Sequence, residues 1–348
     1  MNERIAFVTG GAGFIGGRLL RRLHSEGWAV RALVRSDASA RVVEALGATP
    51  VRGNLSDIEK MRVAADGCWV AFHLAAMIGD FEPAAEFHAA NVVGTANAVR
   101  ACQGAGVRRF VNVSSYVVAM ADRPLHRVDA RAPLRLDSPV PYNVSKALAE
   151  MVVQAASHSG FETISIRPSL TWGLGDRHLL PEIVELVRAN RFTWLDGGRR
   201  RVATSHVDNV VEALVLASER GVPGRSYFVT DGEDPTAREF FAALLEAEGE
   251  RVPWGSVPTA AVLPAARLVQ WMWGWARPGR RPPLTLAGCL LLGLEVTVDD
   301  SRARAELSYA PVRSRQEGLR EMSEAREGVA LRRDGDIPVA GGGSLAAA

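Results

Sequence analysis

Three side chains in the middle of the chain could move a proton. Tyr142 and Lys146 stand four residues apart, one turn apart on the same face of a helix. An ammonium close to a phenol favours the phenolate, so this spacing predicts a Tyr142 pKa lowered from about 10 towards neutrality. Such a tyrosine can donate or accept a proton at a carbonyl or alcohol oxygen. Ser115 closes an expected strand at 108–113 and can hold that same oxygen. Tyr/Lys pairs at this spacing are common by chance. The weight comes from context: the pair opens the helix that follows a strand ending in Ser114-Ser115.

Proton transfer needs a hydride partner, and residues 5–16, IAFVTGGAGFIG, provide for one. An apolar strand, a glycine turn and a helix in succession form a dinucleotide site. Gly10 allows the tight turn, Gly13 leaves the backbone open to a pyrophosphate, and Gly16 lets the helix pack close to the strand. Phe14 and Ile15 complete the entry into the helix, whose N-terminus offers free N–H groups and about half a positive charge. The second strand, 28–34, ends in Arg35-Ser36. An acid at that point would accept hydrogen bonds from a ribose 2′-OH, whereas an arginine pairs with a 2′-phosphate. Asp37 comes two residues too late, so NADPH is favoured and NAD stays open. Lys146 can also reach the nicotinamide ribose.

The elements that must position these groups alternate. Expected strands at 5–8, 28–34, 49–52, 69–76, 108–113 and 162–167 are separated by helices, which implies a parallel sheet with right-handed crossovers. Ser56 or Asp57 is expected to cap the helix that follows. The small residues Ala75 and Ala76 would let a cofactor lie against the backbone. The glycine turn, Arg35, Ala75, Ser115 and Pro168 all fall at strand carboxyl ends, the edge where such sheets bind ligands. The expected fold is α/β, a Rossmann-type doubly wound parallel sheet over 1–168. A smaller substrate-binding lobe follows over 169–330, with Ser226–Thr230 as one of its strands, and then a disordered tail at 331–348. Residues 120–141 are expected to be loop. Two readings stay open for the Trp-rich apolar segment 259–294: a buried cap over an apolar pocket, or weak peripheral membrane contact through 259–280.

Composition excludes other classes. With 348 residues, a net charge of +2 and 23% charged residues, there is no electrostatic case for nucleic acid. Cys68, Cys102 and Cys289 show neither metal spacing nor a disulfide framework, so no metal and a cytoplasmic location are expected, with membrane association open. The early first strand leaves no room for a signal peptide. A hydrophobic small-molecule substrate is expected, and a homodimer stays open.

Together the motifs Thr9-Gly10-x-x-Gly13-x-x-Gly16, His73-x-Ala75-Ala76, Asn91, Ser114-Ser115, Tyr142-x-x-x-Lys146 and Arg167-Pro168 resemble the extended short-chain dehydrogenases/reductases of the NAD-dependent epimerase/dehydratase superfamily. His206-Val-Asp-Asn209, the Tyr227–Gly232 stretch, Pro283-Leu-Thr285 and the segment Asp300–Pro311 resemble the 3β-hydroxysteroid dehydrogenase branch. The resemblance runs to about residue 325. It implies an NAD(P)-dependent oxidoreductase for a hydrophobic hydroxy or keto compound, with Tyr142 as proton donor or acceptor and Ser115 and Lys146 supporting it. Asn91 would hold the site by a backbone contact, Asn54 and Leu55 would edge the adenine, and Pro168 would pack near the nicotinamide. Asn54 stands where many relatives have Asp, which should alter the adenine contact. Nucleotide-sugar epimerase or dehydratase chemistry on a retained NAD, and cofactor binding without catalysis, are the alternatives.

Overall fold

Alternate residues of the strands point to opposite faces of a sheet and here both faces are covered. In the computed structural model, which describes residues 4–276 and 281–334, seven strands form one sheet: β1 (Ile5–Thr9), β2 (Ala29–Val34), β3 (Thr49–Arg52), β4 (Val70–His73), β5 (Arg109–Val113), β6 (Glu162–Pro168) and β7 (Ser226–Val229). Their order is β7-β6-β5-β4-β1-β2-β3, every pairing parallel. Ala6, Val8, Phe72, Val111 and Ile164 meet Leu19, Leu20 and Leu23 of the helix Phe14–Ser25 and Val210 and Leu214 of Val207–Arg220. Phe7, Ala71 and Phe110 meet Met61, Ala98, Cys102 and Val153 on the other face. The order reverses between β1 and β4, where Thr9 pairs with His73. A crevice opens beyond the carboxyl ends at such a point.

The fold is thus the doubly wound α/β architecture expected, with differences of detail. The fourth strand ends at His73, and the chain from Leu74 to Gly79 leaves the sheet. Asp57 precedes the helix Ile58–Ala65 but caps none of its N–H groups, because its carboxylate accepts from the Asn54 N–H instead. The expected loop at 120–141 contains a strand, Leu125–Val128, that pairs in parallel with Val296–Val298. The strand near 226 adds to the main sheet beside β6, so the segment after Pro168 is shared between the sheet and a second layer.

That second layer lies over the strand ends. The turn Tyr116–Ala119 and the helices Thr259–Ala276 and Leu286–Gly293 bring Tyr116, Val117, Met120, Ala266, Leu286 and Leu290 into one apolar cluster, with Tyr142 packed against it. A further cluster gathers Trp172, Trp194, Phe240 and Phe241. The helix Ala237–Ala247 feeding it begins with a capping box between Thr236 and Glu239. The three cysteines are free and buried, and burial pushes the thiols of Cys68 and Cys289 up to about 11. The expected tail at 331–348 falls mainly outside the described residues; only the backbone of the helix Arg315–Asp334 enters it.

Candidate active site

The glycine turn is built by close approach. Gly10 has φ +75°, and a Cβ there would lie 2.7 Å from the Ala75 nitrogen. A Cβ at Gly16 would lie 2.1 Å from the Gly10 carbonyl oxygen. The turn, the first helix and the chain leaving β4 therefore touch through bare backbone. The Gly13 N–H donates to the Gly10 oxygen at 3.0 Å. No side chain caps the helix Phe14–Ser25, and no acid stands in its first turn. Its N-terminus is free to receive an anion, so these residues fit a dinucleotide pyrophosphate. Ile15 packs on the core and would contribute backbone only, while the Phe14 ring lies beside the Gly175 turn. Gly16→Ala is expected to push the helix off the turn and to weaken binding of the nicotinamide cofactor about tenfold or more, given the usual 1–3 kcal/mol of overpacking. Fluorescence titration of the purified variant checks it.

A buried polar chain fixes the turn. The Ala75 N–H donates to Thr9 Oγ1 at 3.3 Å, Thr9 Oγ1 lies 2.8 Å from His73 Nδ1, and His73 Nε2 lies 3.0 Å from Thr95 Oγ1. Burial, and secondarily Lys146, pushes His73 down to about 3, so it is a neutral spacer and not a proton carrier. Sequence places Thr9 at the head of the glycine motif without a role of its own, and assigns none to Thr95. For Thr9 the available signal was a hydroxyl closing an otherwise apolar strand, whereas Thr95 sits within the helix Gly94–Gly104 and had no such mark.

Asn91 lies in a π-helical turn, His88–Val93, inside a continuous helix, a distortion that often marks a functional position. The distortion turns its buried amide onto the chain leaving β4. Oδ1 accepts from the Met77 N–H at 2.7 Å, and Nδ2 donates to the Met77 oxygen at 3.0 Å and to Ser145 Oγ at 2.9 Å. Ser145 Oγ in turn donates to the Tyr142 carbonyl oxygen. One amide thus ties the loop beyond Ala75 and Ala76 to the helix Pro141–Ala155 that carries the tyrosine.

That helix starts with Pro141 in its first turn, where a missing N–H costs nothing. Lys146 is buried and donates to the Val113 carbonyl oxygen at 2.8 Å, and burial lowers its pKa to about 8. Tyr142 packs edge-on to Phe87 at 5.9 Å. The expected lowering of its pKa is not found: burial raises it, to about 12. The ammonium is aimed at the end of β5, and desolvation of the phenolate dominates. Ser115 caps the turn Tyr116–Ala119, its Oγ accepting from the Val117 N–H at 3.4 Å. Its neighbour Ser114 donates instead to buried Glu150, which leaves Ser115 as the serine at the strand end. Pro168 ends β6, opposite Val229.

Just beyond β2, Arg35 is exposed and has no hydrogen-bond or ion-pair partner among the described residues, while Asp37 pairs with Arg52. Asn54 Oδ1 accepts from both the N–H and Oγ of Ser56, so only its Nδ2 remains for a base. The Leu55 oxygen accepts from Asn97. The ligand atoms of His206, Asp208 and Glu321 lie within 4.8 Å of one another. The Arg18 guanidinium, 2.8 Å from Glu321 and 3.6 Å from Asp208, already supplies the positive charge there.

Comparison with known proteins decides the family. The family model for the 3-beta hydroxysteroid dehydrogenase/isomerase family matches residues 7–255. The chain belongs to this family. It is an NAD(P)-dependent oxidoreductase. The chain is 42% identical, over 92% of its length and 96% of the relative's, to a 4-hydroxy-2-methyl-3-oxo-4-farnesyl-3,4-dihydroquinoline-1-oxide ketoreductase of Stigmatella aurantiaca. It is 31% identical to a 3-beta-hydroxysteroid dehydrogenase of Mycolicibacterium neoaurum, over 90% of this chain and 89% of that one. Among solved structures, the dTDP-glucose 4,6-dehydratase DesIV of Streptomyces venezuelae, with NAD bound, has a TM-score of 0.72. It is 24% identical over 94% of this chain and 98% of that one, a likeness of fold. The chain thus has the extended short-chain dehydrogenase/reductase fold.

Proposed function

We propose that the protein transfers a hydride between NADPH and a hydrophobic hydroxy or keto compound, with Tyr142 as the general acid or base. The observation that carries this is the convergence at the end of β5: Tyr142 against an apolar cluster, Lys146 held on the Val113 oxygen, and Ser115 at the strand terminus. The cofactor supplies the hydride. Ser115 orients the reacting oxygen, Tyr142 hands it a proton in reduction or takes one in oxidation, and Lys146 supports the tyrosine and the nicotinamide ribose. Burial holds the Tyr142 phenol in its proton-bearing form. Relatives named for a farnesylated quinoline and for a 3β-hydroxysteroid support an apolar ketone or alcohol as substrate.

The unpaired Arg35 beside the N-terminus of the helix Asp37–Ala45 supports NADPH. Arg35→Asp is expected to raise KM for NADPH by roughly 10–150-fold, the worth of a charge-assisted hydrogen bond of about 1.5–3 kcal/mol, and to leave NADH use equal or better. Steady-state kinetics with both cofactors checks it, and an unchanged KM ratio would remove Arg35 from the site. The function is tested by titrating NADPH against NADH with a panel of apolar ketones and sterols. Turnover of a nucleotide-sugar on retained NAD, with no ketone reduced, would overturn the proposal.

A further inference from the structure

The helix Thr259–Ala276 turns few side chains inward. Ala266 is fully buried, and Val262 and Leu263 pack on the apolar cluster that holds Tyr142. Its outer side is unusual. Leu268, Trp271, Met272 and Trp275 are 56%, 73%, 53% and 88% exposed, and their spacing puts them on one face. Four large apolar groups aligned on an outer helix face form a docking surface.

We infer that this face seats the protein on an anionic lipid surface. The charges select the occupant. Residues 259–294 hold Arg267, Arg277, Arg280 and Arg281 and no Asp or Glu. Arg281 is committed to Asp80 and Glu182. Arg267 is exposed beside Leu268, and its pair with Asp122 at 2.8 Å is itself exposed, so a lipid phosphate can replace that partner. A second copy docked face to face would bring two arginine-bearing segments together, whereas acidic headgroups complement both the charge and the tryptophans. No described helix is long and apolar enough to cross a membrane. Thr259–Ala276 therefore lies along the interface, apolar stripe inward, as amphipathic helices do. Docking stands apart from the proposed activity. What rests on that activity is the consequence: one side of the helix faces lipid while the other lines the tyrosine's apolar cluster, so an apolar substrate enters from the bilayer.

Flotation of the full chain with mixed phosphatidylcholine–phosphatidylglycerol vesicles, and with pure phosphatidylcholine, tests it. The variant Leu268→Gln/Trp271→Gln/Trp275→Gln changes exposed positions only and should keep its Tm and NADPH binding. The parent should float with the anionic vesicles, and the variant's partitioning should fall by roughly a hundredfold, because three large apolar side chains leave the lipid. A parent that floats with neither vesicle, or a variant that floats equally well, overturns the inference. So does a parent dimer in size exclusion that the variant splits, which would assign the face to a second copy. Flotation without turnover of any ketone would leave docking intact and sink the proposed activity instead.

Discussion

Tyr142→Phe is expected to slow hydride transfer by about 10²–10⁴-fold, the usual contribution of a positioned general acid, while NADPH binds as before. The substitution removes one oxygen. The ring keeps its edge contact with Phe87 and its place against the apolar cluster, so packing is preserved. Lys146 keeps its bond to the Val113 oxygen, and the Asn91 and Ser145 contacts reach the Tyr142 backbone, not its phenol. A fall in rate therefore reports the lost proton donor and not a disturbed site. Stopped-flow absorbance of NADPH gives the rate, and cofactor fluorescence gives the binding. A rate within a few-fold of the parent's would show that another group protonates the substrate.

The second large effect concerns stability. Glu150 lies one turn beyond Lys146 and is fully buried, and Arg167 on β6 is 2% exposed. Arg167 Nη2 donates to Glu150 Oε1 at 2.6 Å, Ser226 Oγ donates to the same oxygen at 2.6 Å, and Arg167 Nη1 donates to the Ala130 oxygen at 2.9 Å. Glu150→Ala leaves a buried guanidinium without its counter-charge, which costs about 3–5 kcal/mol. That is a large share of the roughly 5–15 kcal/mol that holds a typical domain folded. Urea unfolding should show a sharply lower midpoint at unchanged slope. A loss below about 1 kcal/mol would mean that water reaches the guanidinium.

The parts of the molecule legible in sequence were those with local signatures. The glycine turn, the apolar strands and the Tyr142–Lys146 spacing each lie within a few residues, and the strand ends brought them to one edge. Three other features depend on what lies far away in the chain. Leu125–Val128 pairs with Val296–Val298, two short strands with no shared local pattern. Glu150 in Ala-Leu-Ala-Glu-Met-Val gives no sign that its partner is Arg167. The Tyr142 pKa follows burial by the second layer, which helical spacing does not report. Segment 259–294 is apolar almost throughout, so periodicity could not tell its core side from its outer side. Its inner side packs on the cluster, and its outer side is open.

The place of β7 has a consequence for how the protein is made. Ser226 follows Pro168 by roughly sixty residues, a delay of about 3–12 s at ordinary ribosomal speed. Until it emerges, β6 is an open edge and Glu150 lacks the hydroxyl of Ser226. The nascent chain thus carries a nearly finished sheet whose β6 border, covered in the final fold, is still open, the kind of border that pairs with other chains. Holdase chaperones are expected to engage the chain in this interval. Ribosome stalling between Pro168 and Ser226 should favour aggregation over release of a soluble fragment.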